Sequence, residues 1–190
     1  FVILDDEPLD NHSLSPASDY ESLLRDAPAG PFPWPTLDEN TACATCYTSG
    51  TTGHPKGVLY SHRALFLHSY GLTMADSFAL SERDTILQIV PMFHANGWGV
   101  PFAAVMTGSR IVFTGRQLQP QDVAALIQNE KPTFTAGVPT IWMTLYAYLE
   151  SNPHDLSSLR TIVCAGSALP RGFIEQYERK YGIRFMLAWG

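Results

Sequence analysis

The residues from Tyr47 to Gly57 read Tyr47-Thr48-Ser49-Gly50-Thr51-Thr52-Gly53-His54-Pro55-Lys56-Gly57, a stretch rich in hydroxyls and glycine that ends beside a lysine. The hydroxyls of Thr48, Ser49, Thr51 and Thr52 can donate to anionic oxygens, and Lys56 adds a positive charge. Gly50 and Gly53 permit unusual φ and a close backbone approach. Pro55 stiffens the chain just before the lysine. The chemistry such a loop suits is the holding of phosphate. A flexible polar turn is the ordinary reading of a short Ser/Thr/Gly run, but so many ordered positions in one pattern argue against it. The stretch is not a Walker A loop, because Gly57 stands where Ser or Thr would follow the lysine and no helix opens there.

Two further constellations carry chemistry. Val90-Pro91-Met92-Phe93-His94-Ala95-Asn96-Gly97-Trp98-Gly99 follows a strand-like run. A neutral imidazole at His94 can hydrogen-bond to a carboxylate or phosphate without burying a full charge. Trp98 reads either as core filler or as the wall of an apolar tunnel, and Val100, Pro101, Phe102 and Val105 beside it suit a hydrocarbon or an ordinary core equally. The third constellation is Cys164-Ala165-Gly166-Ser167-Ala168-Leu169-Pro170, with Leu187-Ala188-Trp189-Gly190 beyond it. Taken alone it is a strand-to-helix connection with Pro opening the helix.

Positioning these segments requires alternating strands and helices. Residues 1–41, rich in Pro, Asp and Ser, read as an irregular connector after a short strand at 1–4. From 42 onward the pattern predicts strands over 42–47, 58–60, 85–90, 110–113, 133–136, 161–165 and 184–188. Helices are expected over 62–78 with Ser61 as cap, and over 100–106, 120–130, 139–150 and 170–181. Such alternation implies an α/β fold of layered, largely parallel sheets flanked by helices. Residues 42–190 are read as part of one domain.

Composition narrows the partners. Twelve basic and eighteen acidic residues give a formal net charge of −6, and no Lys/Arg cluster offers a nucleic-acid surface. No stretch approaches the roughly 20 apolar residues of a membrane span. Without a leader-like opening, the default compartment is the cytoplasm. Cys43, Cys46 and Cys164 are too few for a disulfide framework. The CxxC spacing of the first two lacks a second pair to complete a zinc set, so a buried strand is the favoured reading.

With all three constellations in view, the chain resembles the adenylate-forming (AMP-binding) superfamily, and within it the fatty acyl-CoA synthetase branch. The loop from Tyr47 resembles the superfamily's signature, and Pro91-Met92-Phe93-His94-Ala95-Asn96-Gly97 resembles its next motif. The resemblance implies the central part of a large N-terminal domain, truncated at both ends. It also implies a reaction in which a carboxylate attacks ATP to give acyl-AMP and pyrophosphate, after which CoA displaces AMP. The expected substrate is a medium- or long-chain fatty acid. The alternatives are a short or functionalised acid such as a methylthio-alkanoate, or, for this stretch alone, an inactive nucleotide-binding module. Thr48, Ser49, Gly50, Thr51, Thr52, Gly53 and Lys56 would hold the ATP phosphates, with Thr48 also helping to position Mg²⁺. His94 would stand with Lys56 as a catalytic group, and His94, Ala95 and Trp98 would line the acyl side. Gly166, Ser167 and Ala168 would face one side of the adenine and Trp189 the other. Trp189 stands where the family usually has Tyr, keeping a π-face for stacking but lacking the phenol. The family's Thr and Glu beyond Gly190, and its mobile C-terminal domain, would be needed for turnover. Oligomeric state is left open.

Overall fold

The computed structural model describes residues 1–4, 13–48, 53–115 and 118–189. It divides into two compact units, Phe1–Leu37 and Asp38–Gly190. In the first, β1 (Val2–Ile3) pairs in parallel with β2 (Ser18–Asp19). A helix the sequence reading did not expect, α1 (Tyr20–Asp26), follows directly. Asp19 caps it, accepting from the Glu21 and Ser22 amides at 3.3 and 2.9 Å and so satisfying N–H groups left free in the first turn.

The second unit opens with an antiparallel hairpin, β3 (Ala42–Thr48) and β4 (Lys56–Ser61). The second strand starts two residues earlier than expected, so Lys56 lies within it. Ser61 caps α2 (His62–Thr73), its hydroxyl accepting from the Ala64 amide at 3.1 Å. The helix ends at Thr73, short of the expected 78. Then come β5 (Thr85–Gln88), the short turn α3 (Ala95–Trp98), α4 (Val100–Thr107), β6 (Arg110–Phe113) and α5 (Pro120–Glu130). The chain continues through β7 (Phe134–Gly137), α6 (Pro139–Ser151), β8 (Thr161–Cys164), α7 (Arg171–Tyr181) and β9 (Arg184–Leu187). The last five strands form one wholly parallel sheet in the order β6-β5-β7-β8-β9.

The period-two alternation of strand side chains builds two cores on this sheet. Leu87, Ile162 and Cys164 point to one face, where Val123, Ile127, Trp142, Leu145 and Tyr177 of α5, α6 and α7 cover them. Ile86, Phe134 and Val163 point to the other, against Leu72 of α2 and Val100, Ala103 and Ala104 of α4. Because both faces are covered, the strands read as continuous apolar runs, as parallel sheets require. The layers are therefore helix, sheet and helix. No described helix is long and apolar enough to cross a membrane.

This order also creates a switch point. The connection from β5 runs through α4 to β6 on one side, whereas the connection from β7 runs through α6 to β8 on the other. Ligands of open α/β sheets bind in the crevice beyond the carboxyl ends of strands at such a point.

Candidate active site at the carboxyl edge of the sheet

Four connections at the carboxyl edge bring the sequence motifs together. His94 follows β5, Gly137-Val138 ends β7, Gly166-Ser167-Ala168 follows β8, and Trp189 follows β9. Backbone hydrogen bonds lace three of these connections. The Ala165 amide donates to Gly137 O at 3.3 Å, and the Ala188 amide donates to Cys164 O at 2.9 Å. Gly166 sits at φ +95°, and a Cβ there would lie 3.2 Å from Val138 Cγ1, so the loop after β8 rests closely on the one after β7. Gly137-Val138 was not singled out in the sequence. Its Gly-Val-Pro turn between a strand and a helix was the available signal.

The phosphate motif is split by what the structure describes. Thr48 and Lys56 are direct cross-strand partners at the loop end of the hairpin, both exposed. Gly53 sits at φ +83°, and among the described residues nothing lies within 4 Å of where a Cβ would stand. Ser49, Gly50, Thr51 and Thr52 lie outside the described residues, as does Gly190. β3 runs beside α3, so the strand that ends in Thr48 is adjacent to the turn that follows His94. Among the described residues no group of three His, Cys, Asp or Glu side chains could hold a metal ion.

The backbone after His94 departs from the ordinary. Ala95, Asn96, Gly97, Trp98 and Gly99 all have positive φ, at 41°, 50°, 63°, 58° and 70°, making α3 a left-handed turn. Its hydrogen bonds run from the Gly97 amide to His94 O at 2.9 Å and from the Gly99 amide to Asn96 O at 3.2 Å. For residues with a Cβ this conformation costs roughly 1–2 kcal/mol each, with Asn tolerating it best, so the surroundings must hold it. Gln88, buried at the end of β5, donates through Nε2 to Val90 O at 2.7 Å and to Gly97 O at 3.4 Å. His68 of α2 lies with Nε2 at 3.2 Å from Trp98 O. Trp98 is half-buried against the core face that α2 and α4 cover, whereas His94 and Ala95 are exposed.

Exposed apolar side chains gather at this edge. Phe93, Phe113, Val138 and Leu187 all leave the sheet there, and Trp189 is fully exposed at 102%. Burial pushes the Cys164 thiol up to about 11, so this cysteine at the end of β8 stays a neutral thiol and supplies no nucleophile. Cys46 is also buried and Cys43 exposed, and all three thiols are free.

A family model described as AMP-binding enzyme matches residues 2–190. The chain is 46% identical over 179 residues to a long-chain-fatty-acid–CoA ligase of Thermus thermophilus, covering 94% of this chain and 31% of that protein. It is 44% identical over 171 residues to a 3-methylmercaptopropionyl-CoA ligase of Ruegeria pomeroyi, covering 90% and 32%. Among solved structures, the inhibitor-bound N-terminal domain of FACL13 from Mycobacterium tuberculosis matches with a TM-score of 0.75 at 26% identity, over 92% of this chain and 43% of that one. The chain thus spans about a third of the length of the curated relatives it matches.

Proposed function

The chain belongs to the AMP-binding enzyme family, and on that premise we propose that it forms the nucleotide- and acyl-binding part of an AMP-forming acyl-CoA synthetase. The observation that carries the reading is the adjacency of β3, which ends in Thr48 opposite Lys56, to the turn following His94 at the switch-point edge. In the first step a carboxylate oxygen bonds to the α-phosphorus of ATP while the bond to pyrophosphate breaks, giving acyl-AMP. In the second the CoA sulfur, having lost its proton, bonds to the acyl carbon and AMP leaves.

The residues suit these substrates. The Lys56 ammonium and the Thr48 hydroxyl offset the repulsion between an anionic nucleophile and anionic phosphates. Mg²⁺, which favours phosphate and water oxygens, would be held by Thr48 together with the ATP phosphates and would neutralise their charge. Ser49, Gly50, Thr51, Thr52 and Gly53 complete the phosphate loop in this proposal. His94 hydrogen-bonds at the junction of carboxylate and phosphate, and Ala95 and Trp98 line the acyl side. Adenine lies between the Gly166-Ser167-Ala168 edge and the Trp189 ring, a close approach that the Gly166 conformation allows.

A medium- or long-chain fatty acid is the proposed substrate, in keeping with the long-chain relative and the apolar side chains at this edge. The test is carboxylate-dependent pyrophosphate release by the polypeptide that contains this chain, over a series of acids. Release without carboxylate would mean an NTPase, and none at all a binding module. A sharp maximum at 3-methylthiopropionate would move the assignment to the functionalised acids that the Ruegeria relative's name describes.

A further inference from the structure

We propose that Gln88 is a positioning residue for the His94 loop, its carboxamide closing the loop's neck and holding the left-handed turn from which His94 and Trp98 project. Gln88 ends β5, an interior strand of the parallel sheet, a place where a buried polar side chain needs a reason. It is only 6% exposed, and its amide nitrogen donates to Val90 O before the loop and to Gly97 O after it. Two carbonyls facing one nitrogen demand a two-proton donor, which an amide supplies and a carboxylate or apolar group does not. The residues between those carbonyls, Pro91 to Asn96, include His94. Gly97 is part of the same device, because a Cβ there would stand 2.7 Å from Gln88 Nε2. A side chain at Gly97 would push the amide off its acceptors, besides being strained at φ +63°. Three residues with a Cβ, Ala95, Asn96 and Trp98, are held at positive φ in this turn, and among the described residues no other hydrogen bond bridges Val90 and Gly97.

The consequence for catalysis rests on the ligase reading, but the geometry does not, and the experiment separates them. Gln88→Met keeps the length and apolar packing of the stem and removes the donors. Gly97→Ala attacks the same contact from the loop. In the polypeptide that contains this chain, amide hydrogen exchange at Gly97 and Gly99 should speed up about tenfold or more in both variants, while amides of β7 and β8 keep their rates. Carboxylate-dependent pyrophosphate release should lose about tenfold or more in kcat, with the KM for ATP within about twofold, as expected when geometry at the reacting group is loosened and phosphate binding is left alone. Unchanged exchange at Gly97 and Gly99, or acceleration spread evenly over the sheet, would overturn the positioning role. So would a loosened turn with unchanged kcat. If the unsubstituted protein releases no carboxylate-dependent pyrophosphate, the ligase reading fails, and the exchange pattern alone decides whether Gln88 holds the loop.

Discussion

The two edges of the parallel sheet are built in opposite ways. At the amino edge, Asp84 before β5, Thr133 before β7 and Arg160 before β8 form one closed network. The Asp84 carboxylate accepts from Arg160 Nε at 2.9 Å, from the Thr133 hydroxyl at 2.6 Å and from the Ser81 amide at 2.9 Å. Arg160 also donates through Nη2 to the carbonyls of Phe78 and Ala79 at 3.1 and 3.2 Å and through Nη1 to the Thr161 hydroxyl at 3.3 Å. Asp84 is 6% exposed. At the carboxyl edge, Lys56, Thr48, His94 and Trp189 all reach solvent, and the backbone holds positive φ at residues that resist it. One edge spends its polar groups on binding the strands to one another, and the other leaves them free to meet a ligand. A residue's edge therefore decides whether its loss is read in stability or in turnover.

The largest effect is expected at the carboxyl edge. Lys56→Ala should lower kcat/KM for ATP by roughly 2–4 kcal/mol, the scale of one lost electrostatic donor. Because Lys56 is exposed at the start of β4, the melting temperature should stay within a degree or so of the parent. Steady-state pyrophosphate assays beside calorimetry check both halves. A stability loss without a kinetic one would break the contrast between the edges.

Asp84→Asn should show the reverse, destabilising by roughly 1.5–3 kcal/mol through hydrogen bonds lost to a charged group while leaving KM for ATP unchanged. Burial opposes ionisation of this carboxyl, but hydrogen bonds from Arg160, Thr133 and Ser81 outweigh it and hold it below the ordinary carboxylate range. The folded form thus favours the charged state. The stabilisation is complete above the unfolded carboxyl's ordinary pKa, about 3.9, and is lost as pH falls through the lower folded value. Denaturant titrations should show the difference between Asp84 and its Asn variant as constant near neutral pH and shrinking below about pH 4.

How much of this was readable from the sequence differs between the same two edges. The strands and helices after Ala42 are strongly periodic, so β6 and α5 have the bounds that the pattern implies. The motifs at the carboxyl edge are local strings and could be read as such. The amino-edge network joins residues 49 and 76 positions apart, and no periodicity in one chain pairs Asp84 with Arg160. The left-handed turn was hidden for another reason. Ala95 and Trp98 have no preference for positive φ, and what holds them is a contact from Gln88 of β5, so local propensity is overridden by tertiary structure. In α1 the signal was present, because Asp19 is a good cap with Glu21 in the first turn, but the surrounding Pro- and Ser-rich composition masked it.

Trp98 tests a position between the two behaviours, being half-buried in a core yet part of the strained turn. Trp98→Ala should shift the ratio of kcat/KM between long and short acids by about tenfold, or about 1.4 kcal/mol, while the KM for ATP moves less. Assays over acids of graded length check it. A lowered melting temperature with an unchanged acid profile would put Trp98 with the core alone.

The smallest effect is expected at Trp189, and it tests the carboxyl edge most cleanly. The residue follows β9, is held by the Ala188 amide's hydrogen bond to Cys164 O, and exposes its whole ring. An exposed indole contributes little to folding, since no apolar area leaves water there. Trp189→Ala should therefore leave denaturant unfolding within about 0.5 kcal/mol of the parent. If the ring is one wall of the adenine site, removing it costs a stacking contact, roughly 0.5–1.5 kcal/mol beyond area burial, or a rise in the KM for ATP of about two- to tenfold. Trp189→Tyr should restore most of that, because the phenol ring keeps the π-face and adds a hydroxyl. Substituting GTP for ATP supplies the control, since a loss confined to ATP points to the base and not to the phosphates. An Ala variant with an unchanged KM for ATP would remove the ring from the nucleotide site and leave the edge's nucleotide contacts to the hairpin and to the Gly166 loop.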